Sequence, residues 1–156
     1  MTEIVLWCIG NPIMSDDGAG PALYAELSGK PACGVRAVNC ESAPENHLGP
    51  LKKNPPRRLV VVDAAEMGLS SGSVRRIGLA GSGDISFCSH GIPLPLLLEP
   101  LKDSTEIVVI GIQPAVRGIG EGLSAEVQGA VKAVAEALRN GEVDKIELYQ
   151  ENLSPR

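Results

Sequence analysis

The sequence predicts a three-layer α/β fold, a mainly parallel twisted sheet with helices on both faces, built as a single domain over residues 1–156. Three observations carry this reading. Apolar, β-branched runs at Ile4–Ile9, Leu59–Val62 and Glu106–Ile112 alternate with stretches of helical periodicity. Each run is closed by a turn-forming or acidic cluster, at Gly10-Asn11-Pro12, Asp63-Ala64-Ala65-Glu66 and Gln113-Pro114. At 156 residues and 44% apolar content, the chain has the size and material for one core without disulfide staples.

Taken in order, Ile4 to Ile9 reads as a central strand buried on both faces. After the polar turn SDDGAG, Pro21 suits the first turn of a helix in which Leu23 and Leu27 form an apolar stripe, ended by Gly29 and Pro31. Val35–Val38 suggests a short second strand, ESAPEN a loop, and Leu48 with Leu51 a brief helix that Pro55-Pro56 ends. Leu59–Val62 is the next strong strand, with Asp63 at its carboxyl end. SSGSVRRIGL reads as an amphipathic edge strand, and Ile92–Lys102 as a helix despite Pro93 and Pro95. Glu106–Ile112 is a third buried strand, and Ser124–Leu138 is the clearest helix, with Val127, Val131, Val134 and Leu138 on one face, Ser124 as N-cap and Gly141 as its stop. Right-handed crossovers between parallel strands place successive connecting turns at one sheet edge.

Composition narrows the function. The 18 glycines and 12 prolines accompany a large apolar fraction, so they indicate sharp turns and not disorder. Trp7, Tyr24, Tyr149 and Phe87 are the whole aromatic set, and a net charge of −5 with no basic run beyond Lys52-Lys53 and Arg57-Arg58 argues against a nucleic-acid partner. Cys8, Cys33, Cys40 and Cys88 form no C-x-x-C pair, and EIVLWCIG lacks the features of a signal peptide, so a reducing cytoplasm is expected. Apolar stretches fall short of the roughly 20 residues needed to span a bilayer, so membrane insertion is not expected.

Three polar residues stand at the ends of runs that should become neighbouring elements: Asp17, Asp63 and His90. Strand ends of an open α/β sheet converge on one crevice, and two carboxylates with an imidazole suit a borderline divalent ion such as zinc or nickel, with positions left for water or substrate. The Gly-rich turn GNPIMSDDGAG matches neither G-x-G-x-x-G nor the Walker pattern, and Asp16-Asp17 would repel phosphate. The plain alternative is that one of these aspartates caps the following helix and that Asp63 makes an Asx turn. His90 and His47 each have the plain reading of an exposed loop histidine, which suits His47 better. Cys88 is a possible soft ligand or a buried filler. A Ser-His-Asp triad lacks its G-x-S-x-G elbow.

The segments GNPIMSDDGAGPAL, SAPEN, VVVDAAEMGLSSGSVRRI, SHGIPLPLL and VIGIQP occur in order over Ile4 to about Leu138. Together they resemble the hydrogenase maturation endopeptidases, particularly the branch that processes the large subunit of formate-hydrogenlyase-type (hydrogenase 3) [NiFe] hydrogenases. The resemblance implies a twisted sheet between helices and removal of a C-terminal peptide from the large-subunit precursor once nickel is inserted. It implies that Asp17, Asp63 and His90 are the nickel-contacting and catalytic residues, that nickel arrives with the client, and that the free enzyme, expected as a monomer, holds no metal tightly. Where many relatives carry an aspartate followed by glycines, this chain has Asn39, Cys40 and Glu41, which makes Glu41, with Asp16, a candidate for positioning substrate. Two other readings are compatible with the same residues: a metal-dependent hydrolase of another substrate, and a non-catalytic nickel- or nucleotide-binding module.

Overall fold

Parallel pairing of apolar strands organises the molecule. A computed structural model describes residues 4–79, 85–87 and 92–150. Strand β1 (Ile4–Ile9) lies between β2 (Val35–Glu41) and β3 (Arg58–Glu66); β6 (Glu106–Ile112) follows β3, and the short strand β4 (Val74–Ile77) closes the order β2-β1-β3-β6-β4. The first four are mutually parallel, and β4 runs antiparallel to β6, with Val74 opposite Ile112 and Ile77 opposite Val109. Strand β5 (Ser86–Phe87) pairs antiparallel with the end of β3, setting Phe87 opposite Ala65.

Side chains alternate across each strand, which is why the central runs are apolar throughout: both faces of the sheet are covered. Leu6, Cys8, Val60, Val62, Ile110 and Ile112 pack toward helices α1 (Ala19–Gly29) and α4 (Ala125–Arg139). On the other face, Val5, Trp7, Ile9, Leu59, Val61 and Val109 meet Leu51 of α2 (Leu48–Lys53) and Leu94 and Leu97 of α3 (Leu94–Leu97). The three-layer fold predicted from the sequence is therefore the observed one. None of the described helices is long and apolar enough to cross a membrane.

Helix α4 matches its sequence signals closely. Ser124 caps it, its Oγ accepting the Val127 N–H at 3.3 Å, and Gly141 takes the left-handed conformation just beyond the C-cap Asn140. Other elements depart from expectation. Strand β2 runs on to Glu41 and not only to Val38. Strand β3 continues three residues past Asp63, because β6 pairs it through Ala64 and β5 pairs Ala65 and Glu66. The helix expected over Ile92–Lys102 is only the single turn of α3 followed by a 3-10 turn at Glu99–Leu101, since Pro100 lacks the N–H that a continuing helix needs.

The free edge of β4 is covered by the segment after a 3-10 turn at Val143–Lys145. The Arg76 N–H donates to the Glu147 carbonyl at 2.8 Å, the Tyr149 N–H donates to the Arg76 carbonyl at 2.7 Å, and Arg76 Nε donates to the Ile146 carbonyl at 2.8 Å. Nothing in the local sequence foretold this strap, because it depends on pairing across some 70 residues.

Candidate functional site

At the carboxyl end of β1 the chain reverses sharply. The Asn11 N–H donates to the Asp17 carbonyl at 3.0 Å, and a Cβ at Gly10 would lie 2.0 Å from that same oxygen, so only glycine allows the approach. A 3-10 turn at Ser15–Gly18 then runs directly into α1. Gly20 seats the helix on the strand, since a Cβ there would stand 2.1 Å from the Ile9 carbonyl oxygen. This junction puts Asp17, only 7% exposed, on a turn that packs against β3.

Asp63 is fully buried on β3. The pairing of β3 with β1 ends at Val62, opposite Cys8, while the pairing with β6 continues and sets Asp63 opposite Gly111. Asp63 is thus the first residue of β3 beyond the reach of β1, at the lip where the chain leaves β1 for the Asp17 turn. The first and third strands do lie side by side, as the topological argument required. His90 and Cys88 lie outside the described residues. Among the described residues no group of three His, Cys, Asp or Glu side chains is arranged to hold a metal ion; the trio read from the sequence includes His90, and the described part contributes its two oxygen donors.

Asp16 behaves unlike its neighbour. It is fully buried, and its carboxylate accepts four hydrogen bonds: from the N–H groups of Ala115 (2.8 Å), Val116 (2.9 Å) and Ser124 (2.7 Å), and from the Ser124 hydroxyl (2.9 Å). Burial alone would raise its pKa, but these bonds outweigh burial and hold it below the ordinary carboxylate range. The expectation that one aspartate of the pair caps the following helix needs correcting: α1 has Gly18 at its N-cap and no side-chain cap, whereas Asp16 braces the start of α4, some hundred residues away. With its oxygens committed to the fold, Asp16 can position substrate only through the loop it holds.

Two further groups escaped the sequence reading. Arg117 sits on that loop with its Nε 3.4 Å from Asp17 Oδ1. Gln113, buried after β6, accepts the Met67 N–H at 2.8 Å through Oε1 and donates from Nε2 to Glu66 Oε2 at 2.7 Å. The Gln113 bond first, then the Gly68 N–H and nearby Arg117, keep the Glu66 carboxyl below its usual range. Gln113 was visible as part of VIGIQP but carried no chemical signal there, and nothing near Arg117 marked it.

Glu41 ends β2 with an exposed side chain, beside β1, where its carbonyl accepts the Gly10 N–H at 2.7 Å. Among the described residues, Ser15 and Glu41 are the non-glycine positions with positive φ, at +55° and +52°. Both flank this edge, and such strained backbone tends to cluster at functional sites. Ser15 is held in place by its Oγ donating to the Gly118 carbonyl at 2.7 Å and its N–H donating to Gly120 at 2.9 Å. The edge therefore presents two buried carboxylates, a partly exposed guanidinium and braced loops. Oxygen donors of this kind can take a borderline divalent cation or accept a proton from water.

Comparison with known proteins agrees with this architecture. The HycI family model, described as a hydrogenase maturation protease, matches residues 26–140. The chain is 35% identical over 144 residues to the hydrogenase 3 maturation protease of Escherichia coli (strain K12), covering 91% of this chain and 92% of that protein. The solution structure of the endopeptidase HycI from Escherichia coli superposes with a TM-score of 0.88 at 31% identity, covering 99% of this chain and all of that one. A [NiFe] hydrogenase maturation protease HycI from Thermococcus kodakarensis KOD1 gives 0.77 at 27% identity, covering 90% of this chain and 92% of that one.

Proposed function

The chain belongs to the hydrogenase maturation protease family, and from that premise we propose that it cuts the C-terminal extension from a [NiFe]-hydrogenase large-subunit precursor after nickel insertion. The nickel belongs to the client, and reading it is how the enzyme distinguishes loaded from unloaded precursor. The observation that carries this reading is the burial of Asp17 and Asp63 at the adjoining ends of β1 and β3, one 7% and the other 0% exposed. Arg117 offsets part of the charge at Asp17, and an incoming divalent ion would add positive charge where the two carboxylates adjoin.

In this scheme Asp17, Asp63 and His90 are the catalytic and nickel-contacting residues, two through oxygen and one through nitrogen. Held there, the client's nickel would supply Lewis acidity toward the scissile carbonyl or a water molecule, and a carboxylate of the pair takes the proton released as water adds across the peptide bond. Glu41 contacts the client at the rim, while Asp16 positions it indirectly. The enzyme works as a cytoplasmic monomer without a tightly held metal of its own.

Mass measurement of a co-expressed large subunit tests the proposal. Asp17→Asn, Asp63→Asn and His90→Ala should each leave a folded protein and an untrimmed, nickel-loaded client, with activity reduced by roughly a hundredfold or more. Trimming at the wild-type rate by all three variants would reject the assignment.

A further inference from the structure

Arg117 makes the ion pair with Asp17, yet it is held in an unusual way. The backbone on either side of it is pinned: the Val116 N–H donates to Asp16 at 2.9 Å, the Val116 carbonyl accepts the Asp16 N–H at 2.9 Å, and the Gly118 carbonyl accepts the Ser15 hydroxyl at 2.7 Å. The Arg117 side chain is 35% exposed and meets Asp17 Oδ1 through Nε at 3.4 Å. That separation is well beyond the 2.7–2.9 Å, or about that, of a tight charge-assisted bond. The loop thus fixes the Arg117 backbone beside Asp17, while the contact between the two charged groups stays long.

We propose that Arg117 is a built-in counter-cation for Asp17, which a metal must displace before it can bind there, so that the free enzyme resists stray divalent ions and yields to a metal delivered by its client. The inference rests on the reading of Asp17 as a nickel contact. Its physical basis is competition for one oxygen. Asp17 is 10% exposed at its side chain, and Arg117 supplies a positive charge beside it in the absence of metal. A partly exposed pair of this length is modest in strength, so a well-coordinated metal displaces it readily, while a weakly held ion at low concentration does not.

Nickel titration into the metal-free full chain by calorimetry, at fixed low ionic strength, tests this. Arg117→Gln removes the charge and keeps the polarity. It should bind nickel roughly two- to fivefold more tightly than wild type, the gain of deleting one competing ion pair. Arg117→Lys should stay near wild type, and Asp17→Asn combined with Arg117→Gln should abolish the gain. Thermal melts confirm that each variant is folded. Equal or weaker binding by Arg117→Gln, undetectable binding by both proteins, or a gain that survives loss of the Asp17 carboxylate would overturn the inference. Precursor trimming separates its failure from that of the site reading. If Asp17→Asn is inactive while Arg117→Gln shows no gain, only the counter-cation role falls. If Asp17→Asn trims normally, the site reading falls and this inference falls with it.

Discussion

Adjacent aspartates of identical chemistry do different work here. Asp16 is wholly buried with four donors on its carboxylate, and Asp17 is paired with Arg117. Asp16→Asn leaves one oxygen for four donors and turns an NH2 group toward N–H groups. It should destabilise the protein by about 3 kcal/mol and lower Tm by about 10 °C, read by calorimetry. The pH dependence has a definite sign. Because the folded pKa of Asp16 is depressed, its contribution is present above the ordinary carboxylate value of about 4 and is lost as pH falls through the folded value. Wild-type Tm should therefore drop more steeply than that of Asp16→Asn below about pH 4. The S-D-D sequence displayed both acids but could not assign their tasks, since the donors that distinguish them lie near residue 115 and at Ser124. Arg117 was invisible for the same reason: an arginine in a polar loop means nothing until its partner is known.

The junction between β1 and α1 shows how an element places a side chain. Helix α1 sits close enough to the strand that a Cβ on Gly20 would be 2.1 Å from the Ile9 carbonyl oxygen and 2.5 Å from the Ile9 nitrogen. Backbone cannot yield as a flexible side chain does. Gly20→Ala should cost about 3 kcal/mol or more, or prevent folding, measured by denaturant titration. Any soluble Gly20→Ala protein should also lose trimming through a displaced Asp17. Strong apolar runs made β1, β3 and β6 legible from sequence, and a cap with an amphipathic stripe did the same for α4. Elements defined by partners far along the chain did not show: β5 is two residues long, and α3 is interrupted by a proline whose effect depended on how the chain packed.

Across the whole molecule, the two ends of the sheet serve different purposes. At the amino ends of β3 and β6, Arg58 pairs with Glu106 at 2.5 Å and with Asp144, tying the sheet to the turn after α4. The carboxyl ends carry the carboxylates of the candidate site. At the lateral edge, the strap from Ile146 to Tyr149 takes up hydrogen-bonding groups of Arg76 that would otherwise face solvent. Truncation before Ile146 should lower stability by about 2–3 kcal/mol for the lost hydrogen bonds, and light scattering should rise with protein concentration as uncovered β4 edges pair between molecules. Unchanged stability and scattering would show that the strap has no protective role.

The loops around Asp17 are already sewn together, by Ser15 to Gly118 and Gly120, by Asp16 to Val116, and by Gly120 to the Ile13 carbonyl. A rim ordered before any encounter has little conformational freedom left to surrender, so the entropy lost on complex formation falls mainly on the incoming polypeptide tail. Under the proposed function, selectivity among precursors then depends on how cheaply each tail becomes ordered, a property of the precursor and not of the enzyme.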